Sequence, residues 1–161
     1  MDLKHNNNIE KYLTFLVDDE VYGLEILKVR EIVAMMHISK VPLVPSYVKG
    51  VINLRGKVIT VIDIREKFNM EPKEYTAHTT IIIVDIDELS IGFIVDATSE
   101  VLKLQQDQLA PPPHFGTSID TSFLKSMAKL SDEQIVMIVD LEKLFSDQEI
   151  ESLAIQNNMN Q

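Results

Sequence analysis

Cysteine is absent from all 161 residues, which excludes disulfides, thiolate nucleophiles and cysteine metal ligands together. Glycine is scarce at five, too little material for a glycine-rich phosphate cradle, and neither a P-loop nor a G-x-G-x-x-G motif occurs. A G-x-S-x-G nucleophile motif is also missing. Positive charge is in deficit: the formal net charge is −10 and the pI about 4.8. That balance argues against nucleic acid, where basic patches supply most of the affinity, and against a basic helix lying on a membrane. With aromatics at only 6%, it also disfavours an oligonucleotide-binding barrel. No apolar run approaches the roughly 18 residues that span a bilayer. The opening Met1-Asp2-Leu3-Lys4-His5-Asn6-Asn7-Asn8 lacks the apolar centre of a signal peptide. The expectation is a soluble, cytoplasmic protein without direct membrane insertion.

What the sequence has in quantity is isoleucine and valine, 34 residues between them, and β-branched side chains favour extended chain. Their clearest arrangement is Val48-Lys49-Gly50-Val51-Ile52-Asn53-Leu54-Arg55-Gly56-Lys57-Val58-Ile59-Thr60-Val61-Ile62-Asp63-Ile64. Two β-rich runs flank Asn53-Leu54-Arg55-Gly56, an order that reads as strand, tight turn, strand. Gly56 takes a positive φ without penalty, and Asn53 tolerates the left-handed region better than most residues. The turn lifts the five-donor fork of Arg55 out of an apolar hairpin. There it either ties the turn down, with Glu31 the obvious carboxylate, or addresses something outside the protein.

Around this hairpin the remaining elements follow in order. Tyr12–Val17 and Val21–Ile26 read as strands joined by Asp18-Asp19-Glu20. Leu27–Val33 is ambiguous between a helical stripe and extended chain, with β-branching favouring the latter. Pro42 and Pro45 hold the next stretch extended, and Ser46 is placed to cap one helical turn ending at Gly50. Asp63, with Glu66 three residues on, opens a short helix Ile64–Phe68. Asn69–His78 is a polar connection. Thr79–Val84 is apolar on both faces, so either both are buried or one is a contact surface. Asp85–Glu88 turns it into Ser90–Val95, and Val101–Leu104 continues the sheet. Pro111-Pro112-Pro113 marks a loop. Gln134–Val139 is the last strand. Asp140 caps Leu141–Phe145, and a terminal helix over 146–155 carries Ile150, Leu153 and Ala154 on one face. Residues 1–9 and 156–161 read as flexible tails.

The two halves repeat each other. Gly23, Ile26, Val29, Glu31 and Ile32 match Gly92, Val95, Thr98, Glu100 and Val101 at a constant offset, and Val61-Ile62-Asp63-Ile64 through Phe68 matches Ile138-Val139-Asp140-Leu141 through Phe145. Strands this short do not close a large sheet, so two small barrels packed together fit best.

Reactive constellations are hard to find. His5, His37, His78 and His114 stand far apart with no partner motif, so no metal site is expected. Asp63 and Asp140 form an imaginable acid–base pair, but each precedes a short helix and capping explains both. Ser99 and Ser118 have nothing to activate them. No catalytic residue and no cofactor are expected; the features left over, apolar strands and an arginine, are those of a protein interface.

At this point the chain resembles the CheW family of chemotaxis coupling proteins from about Tyr12 to Phe145. The residues that carry the likeness are Tyr22-Gly23, Ile26-Leu27-Lys28-Val29-Arg30-Glu31-Ile32, Val41-Pro42, Pro45, and Lys49-Gly50-Val51-Ile52-Asn53-Leu54-Arg55-Gly56. Asp63-Ile64-Arg65, Phe68, Gly92 to Asp96, and Glu100-Val101-Leu102 complete it. The resemblance implies a mainly β fold of two intertwined five-stranded SH3-like barrels with short helices and a C-terminal helix. It implies one domain over 10–147 made of subdomains at about 10–75 and 76–147, with strands exchanged between them.

It also implies a non-catalytic adaptor that binds the regulatory domain of the histidine kinase CheA and the cytoplasmic tip of chemoreceptors. Such an adaptor is recruited to membrane-associated arrays and can alternate with kinase regulatory domains in rings. Carried over by position, Gly50, Thr80, Ile81 and Ile82 fall to the kinase, the last three as an apolar edge of the second barrel. Ile26, Val29, Glu31, Arg55, Val95 and Thr98 fall to the receptor, in a groove where Ile26 and Val29 face Val95 and Thr98. Glu31 and Arg55 resemble the family's salt-bridged pair, and Asn53-Leu54-Arg55-Gly56 its structural motif. Competing readings are a CheV-type module, whose receiver domain is not in this chain, a paralogue serving another receptor–kinase array, and a hydrolase using Asp63.

Overall fold

The isoleucine and valine runs form eleven strands in two sheets among the described residues of the computed structural model, which are 9–112 and 121–159. Of the tails expected at 1–9 and 156–161, residues 1–8 and 160–161 lie outside them, as do Pro113, His114 and Ser118; Ile9 instead begins a strand, and the terminal helix expected over 146–155 continues to Met159. The strands are β1 (Ile9–Val17), β2 (Glu20–Glu25), β3 (Val29–Ala34), β4 (Val48–Leu54), β5 (Lys57–Asp63) and β6 (Thr80–Ile86). They continue with β7 (Leu89–Val95), β8 (Ala97–Gln105), β9 (Leu109–Ala110), β10 (Leu124–Lys129) and β11 (Ile135–Val139). Three helices are α1 (Ile64–Lys67), α2 (Leu141–Leu144) and α3 (Asp147–Met159).

The chain divides into two units, one of Met1–Leu27 with Thr98–Leu144, the other of Lys28–Ala97 with Phe145–Gln161. The sheet of the first runs β8-β1-β2-β11-β10-β9, and that of the second β3-β6-β7-β5-β4. These orders are the same order once the sequence repeat is applied. In each sheet the first hairpin of one repeat lies between strands of the other, so the repeats are intertwined as expected. Register agrees to the residue. Val61 pairs in parallel with Gly92, and its repeat mate Ile138 pairs in parallel with Gly23. Both hairpins beside these pairs carry a bulge at the same place, between Val48 and Gly50 and between Leu124 and Ser126.

The repeated glycines face the two cores. A Cβ on Gly23 would lie 2.9 Å from Ile138 Cδ1, and one on Gly92 2.9 Å from Ile81 Cγ2. Tyr12, Leu104, Ala128, Val136 and Ile138 form the first core; Ile52, Ile59, Val61, Ile81, Ile83 and Ile94 form the second. A side chain at either glycine would overfill a packed interior.

Among the described residues neither sheet closes through a full ladder, an arrangement that is not a closed barrel yet is consistent with the expected SH3-like fold. In the second unit the edges β3 and β4 are linked instead by one backbone pair. The segment after β3 crosses to β4, where Ser39 and Val51 exchange two N–H···O bonds of 2.8 Å each. In the first unit the counterpart of Ser39 is Ala110 of β9, opposite Met127 of β10. That two-residue strand makes the first sheet six-stranded rather than five-stranded.

Two local expectations are corrected, and one strand was not foreseen. No helical turn runs from Ser46 to Gly50; β4 begins at Val48, whose N–H bonds to Pro45 O at 3.0 Å and whose β-branched side chain pairs opposite Ile62. Leu27–Val33 is split, a 3-10 turn over Ile26–Lys28 and then β3. Strand β10 was hidden in the sequence by its charged alternation, Lys125 and Lys129 pointing out while Leu124 and Ala128 are buried.

α3 is fastened through its first turn. Ser146 Oγ accepts from Glu149 N–H at 3.1 Å and Glu149 Oε1 accepts from Ser146 N–H at 3.0 Å, a reciprocal capping box. Glu149 Oε2 also accepts from Lys67 Nζ at 2.8 Å and from the Tyr47 hydroxyl. Burial would raise the Glu149 pKa, but the donors from Lys67, Tyr47 and Ser146 outweigh it and hold the carboxyl at about 2. A depressed carboxylate stabilises the folded state above its ordinary pKa and loses that contribution as pH falls through the folded value. The docking of α3 is therefore expected to weaken between about pH 4.5 and about pH 2. Glu149→Gln should remove that part of the acid sensitivity, read as amide exchange in α3 against pH.

Candidate interaction surfaces

The β4–β5 turn has Arg55 at φ 52° and Gly56 at φ 85°, both left-handed, the geometry of a type I′ hairpin. Asn53 stays in β4, and its Oδ1 accepts from Gly56 N–H at 2.9 Å. The left-handed residue expected at Asn53 is thus Arg55. This twist carries the Arg55 guanidinium outward, with 69% of its side chain exposed, onto the Glu31 carboxylate of β3. Glu31 and Arg55 lie on opposite edges of the five-stranded sheet, so their contact ties the edges together beside the Ser39–Val51 pair. An ion pair this exposed contributes at most about 1 kcal/mol to stability. Its greater consequence is to hold a charged fork at the surface.

The other residues expected at interfaces divide sharply by burial. Ile26, Val29, Thr80 and Thr98 are half-buried, as is Glu31, and all have surface to offer. Ile81 and Ile82 are fully buried and Val95 nearly so. β6 is no edge: it lies between β3 and β7, and the run of buried residues Ile81, Ile82, Ile83 and Val84 shows that both of its faces are covered as well. Gly50 is also buried, where its φ of 144° and the approach of Ser39 O leave no room for a side chain. These four residues shape the strands and have little surface for a partner to touch.

Two surfaces escaped the sequence reading. On the β3–β6 edge, Ile32 pairs opposite Ile82 and Ala34 opposite Thr80, so Ile32, Ala34 and Thr80 share one face. Ile32 is 45% exposed. In the first unit, Ile9, Glu10, Lys11, Glu25, Ile26 and Leu27 line a cavity of about 350 Å³. Leu27 is 95% exposed because the 3-10 turn interrupts strand alternation, a break the ambiguous pattern of Leu27–Val33 signalled without resolving.

Acid–base chemistry finds no arrangement here. Asp63 Oδ1 accepts from Arg65 N–H at 2.9 Å as the N-cap of α1, and Oδ2 accepts from the Tyr75 hydroxyl at 3.0 Å. Burial raises its pKa, an effect opposed by Tyr75 and by the Arg65 amide. Asp140 Oδ1 accepts from Glu142 N–H at 3.1 Å in the same capping role. Both carboxylates are committed to helix starts, and the hydrolase reading falls with them. Among the described residues no three His, Asp or Glu side chains gather as metal ligands, and no helix is long and apolar enough to cross a membrane. Arg65 itself, buried beside the exposed turns, is paired with Asp96 and serves the interior.

Residues 11–149 match the family model described as CheW-like domain. A chemotaxis protein CheW of Klebsiella aerogenes is 35% identical over 141 residues, covering 88% of this chain and 84% of the relative. A probable chemotaxis protein CheW of Rhizobium etli is 30% identical over 147 residues, covering 91% and 94%. The crystal structure of the scaffolding protein TtCheW from Thermoanaerobacter tengcongensis superposes with a TM-score of 0.77 at 39% identity, over 85% of this chain and 92% of that one.

Proposed function

This chain belongs to the CheW-like family, and from that premise we propose that it holds the regulatory domain of the histidine kinase CheA to the cytoplasmic tips of chemoreceptors. It is a chemotaxis coupling adaptor and a scaffold rather than an enzyme. Residues 10–147 serve as one coupling domain, working in the cytoplasm at receptor arrays, where it alternates with kinase regulatory domains in rings. Each contact can be weak, because many linked contacts raise effective concentration and let receptor state reach the kinase.

The observation that carries this reading is the exposed Arg55 fork, presented by a left-handed turn and steadied by Glu31. A guanidinium so placed recognises a partner carboxylate or carbonyl with two parallel hydrogen bonds. Receptor contacts are assigned to Arg55 and Glu31, to Val29 and Thr98, and to Ile26 with Leu27 at the apolar cavity. Kinase contacts are assigned to Thr80 with Ile32 and Ala34 on the β3–β6 edge. Gly50, Ile81, Ile82 and Val95 act beneath these surfaces by fixing the backbone that bears them.

Arg55→Glu puts two carboxylates together at an exposed position. It is expected to lower affinity for a receptor cytoplasmic fragment by about tenfold or more, while shifting the melting temperature by no more than about 2 °C. Adding Glu31→Arg reverses the pair: recovered binding means the pairing matters, and continued loss means Arg55 itself is read by the partner. Unchanged affinity of Arg55→Glu for both partners, measured by titration calorimetry, would show that the turn is no part of an interface.

A further inference from the structure

With seven methionines and no cysteine, the chain has only thioethers as oxidisable sulfur. Two of them, Met35 and Met36, are adjacent in the segment that leaves β3, and both are half-buried against the second core of Ile52, Ile59, Val61, Ile81, Ile83 and Ile94. That core consists wholly of stiff β-branched side chains, whereas the two methionines are flexible and fill its margin. Three residues beyond Met36, Ser39 makes the backbone pair with Val51 that links the two sheet edges. The hold of this crossing segment on the core, through Met35, Met36 and Ile38, keeps Ser39 in register with β4.

We propose that Met35 and Met36 form a reversible oxidation site that controls the closure of this sheet. A two-electron oxidant such as hydrogen peroxide reaches these partly exposed side chains. The sulfur lone pair forms a bond to one peroxide oxygen, the O–O bond breaks, and the second oxygen leaves as water after taking the proton that the transferred oxygen gives up. The product is a sulfoxide, polar where the thioether was apolar. The six isoleucine and valine side chains it packs against offer an S=O group no donor, so the group turns to water, and the crossing segment lifts off. The Ser39–Val51 pair then breaks, and β3 with its Glu31 loses its tie to β4 and Arg55. Met70, half-buried in the β5–β6 connection, is not among the side chains packed against that core, and its oxidation is expected to be silent. The proposal is independent of which partners the adaptor binds.

The test uses the purified full chain titrated with hydrogen peroxide, with oxidised positions located by peptide mass mapping. Amide exchange is read at Val51, whose N–H donates to Ser39 O. Conversion of Met35 and Met36 is expected to accelerate Val51 exchange by about tenfold or more. Methionine sulfoxide reductase should restore it, and the double variant Met35→Leu, Met36→Leu, which conserves volume, should keep slow exchange under the same peroxide dose. Three results would each overturn the proposal. These are unchanged Val51 exchange once both sulfurs are oxidised, equal acceleration in the double leucine variant, and Met35 and Met36 staying reduced while Met70 is fully converted.

Discussion

Ile82→Asp is expected to unfold the protein rather than to strip one partner from it. The side chain is fully buried on β6 and pairs opposite Phe93, whose ring stacks on that of Phe145 with centroids 6.1 Å apart. Its cross-strand partners, Ile32 and Phe93, are apolar and give a carboxylate no donor. Burying that charge, or opening the sheet to hydrate it, costs more than about 4 kcal/mol, against a total stability of roughly 5–15 kcal/mol for a natural domain. The variant should accumulate as aggregate or lack a cooperative thermal transition, and bind neither kinase nor receptor. Ile82→Val, which removes one methyl group, should cost about 1 kcal/mol and leave both affinities unchanged. On the proposed division of contacts, the charge that discriminates between partners belongs instead at Ile32, on the same face but at the exposed edge. Ile32→Glu should weaken kinase binding more than receptor binding with little loss of stability. An Ile82→Asp protein that melts with the parent yet loses the kinase alone would restore Ile82 to the interface.

Much of the fold could be read because the repeat is written in residues with a mechanical reason to recur. Gly23 and Gly92 recur because each faces a core that has no space for a Cβ. Asp63 and Asp140 recur because each caps the short helix that follows a parallel-paired strand. In both repeats the backbone N–H of that aspartate also returns to the strand start, to Tyr47 O at 2.8 Å and to Phe123 O at 2.7 Å. The hairpin itself was legible from Asn53-Leu54-Arg55-Gly56, though the left-handed residue beside Gly56 is Arg55 rather than Asn53, and the tie from Arg55 to Glu31 was legible from charge and from family resemblance.

What the pattern did not determine was which apolar strand ends up inside. Thr79–Val84 is apolar on both faces in either case; its central position follows from the exchange of hairpins between repeats, a long-range pairing with no local signature. That exchange turned a presumed edge at Ile81 and Ile82 into an interior strand, and moved the exposed apolar surface to Ile32 on β3. Similarly, Leu27 is outside because of a 3-10 turn that amphipathic periodicity does not encode. Burial was thus misjudged where topology sets it and judged well where local geometry does.

Gly50→Ala is expected to be far more damaging than Gly56→Ala, although both residues are hairpin glycines with positive φ. At Gly56, φ is 85° and an added Cβ meets nothing within 4 Å, so only backbone conformation is penalised, by about 1 kcal/mol. At Gly50, φ is 144° and the Cβ would fall 2.0 Å from Ser39 O and 2.8 Å from Ser39 C. These are backbone atoms and do not swing aside as a side chain does. The crossing segment must move, which breaks both hydrogen bonds of the Ser39–Val51 pair at about 0.5–1.5 kcal/mol each and adds backbone strain of about 1–3 kcal/mol. The sum, about 2–6 kcal/mol, corresponds to a fall in melting temperature of roughly 5–20 °C for a chain of this size. Amide exchange at Val51 should accelerate in Gly50→Ala and remain slow in Gly56→Ala. A binding defect on substituting Gly50 then has a structural cause, since the glycine is buried and what changes is the spacing of β3 from β4 that holds Glu31 and Arg55 together. If Gly50→Ala melted within about 2 °C of the parent and kept Val51 protected while losing the kinase, direct contact at Gly50 would be the better account.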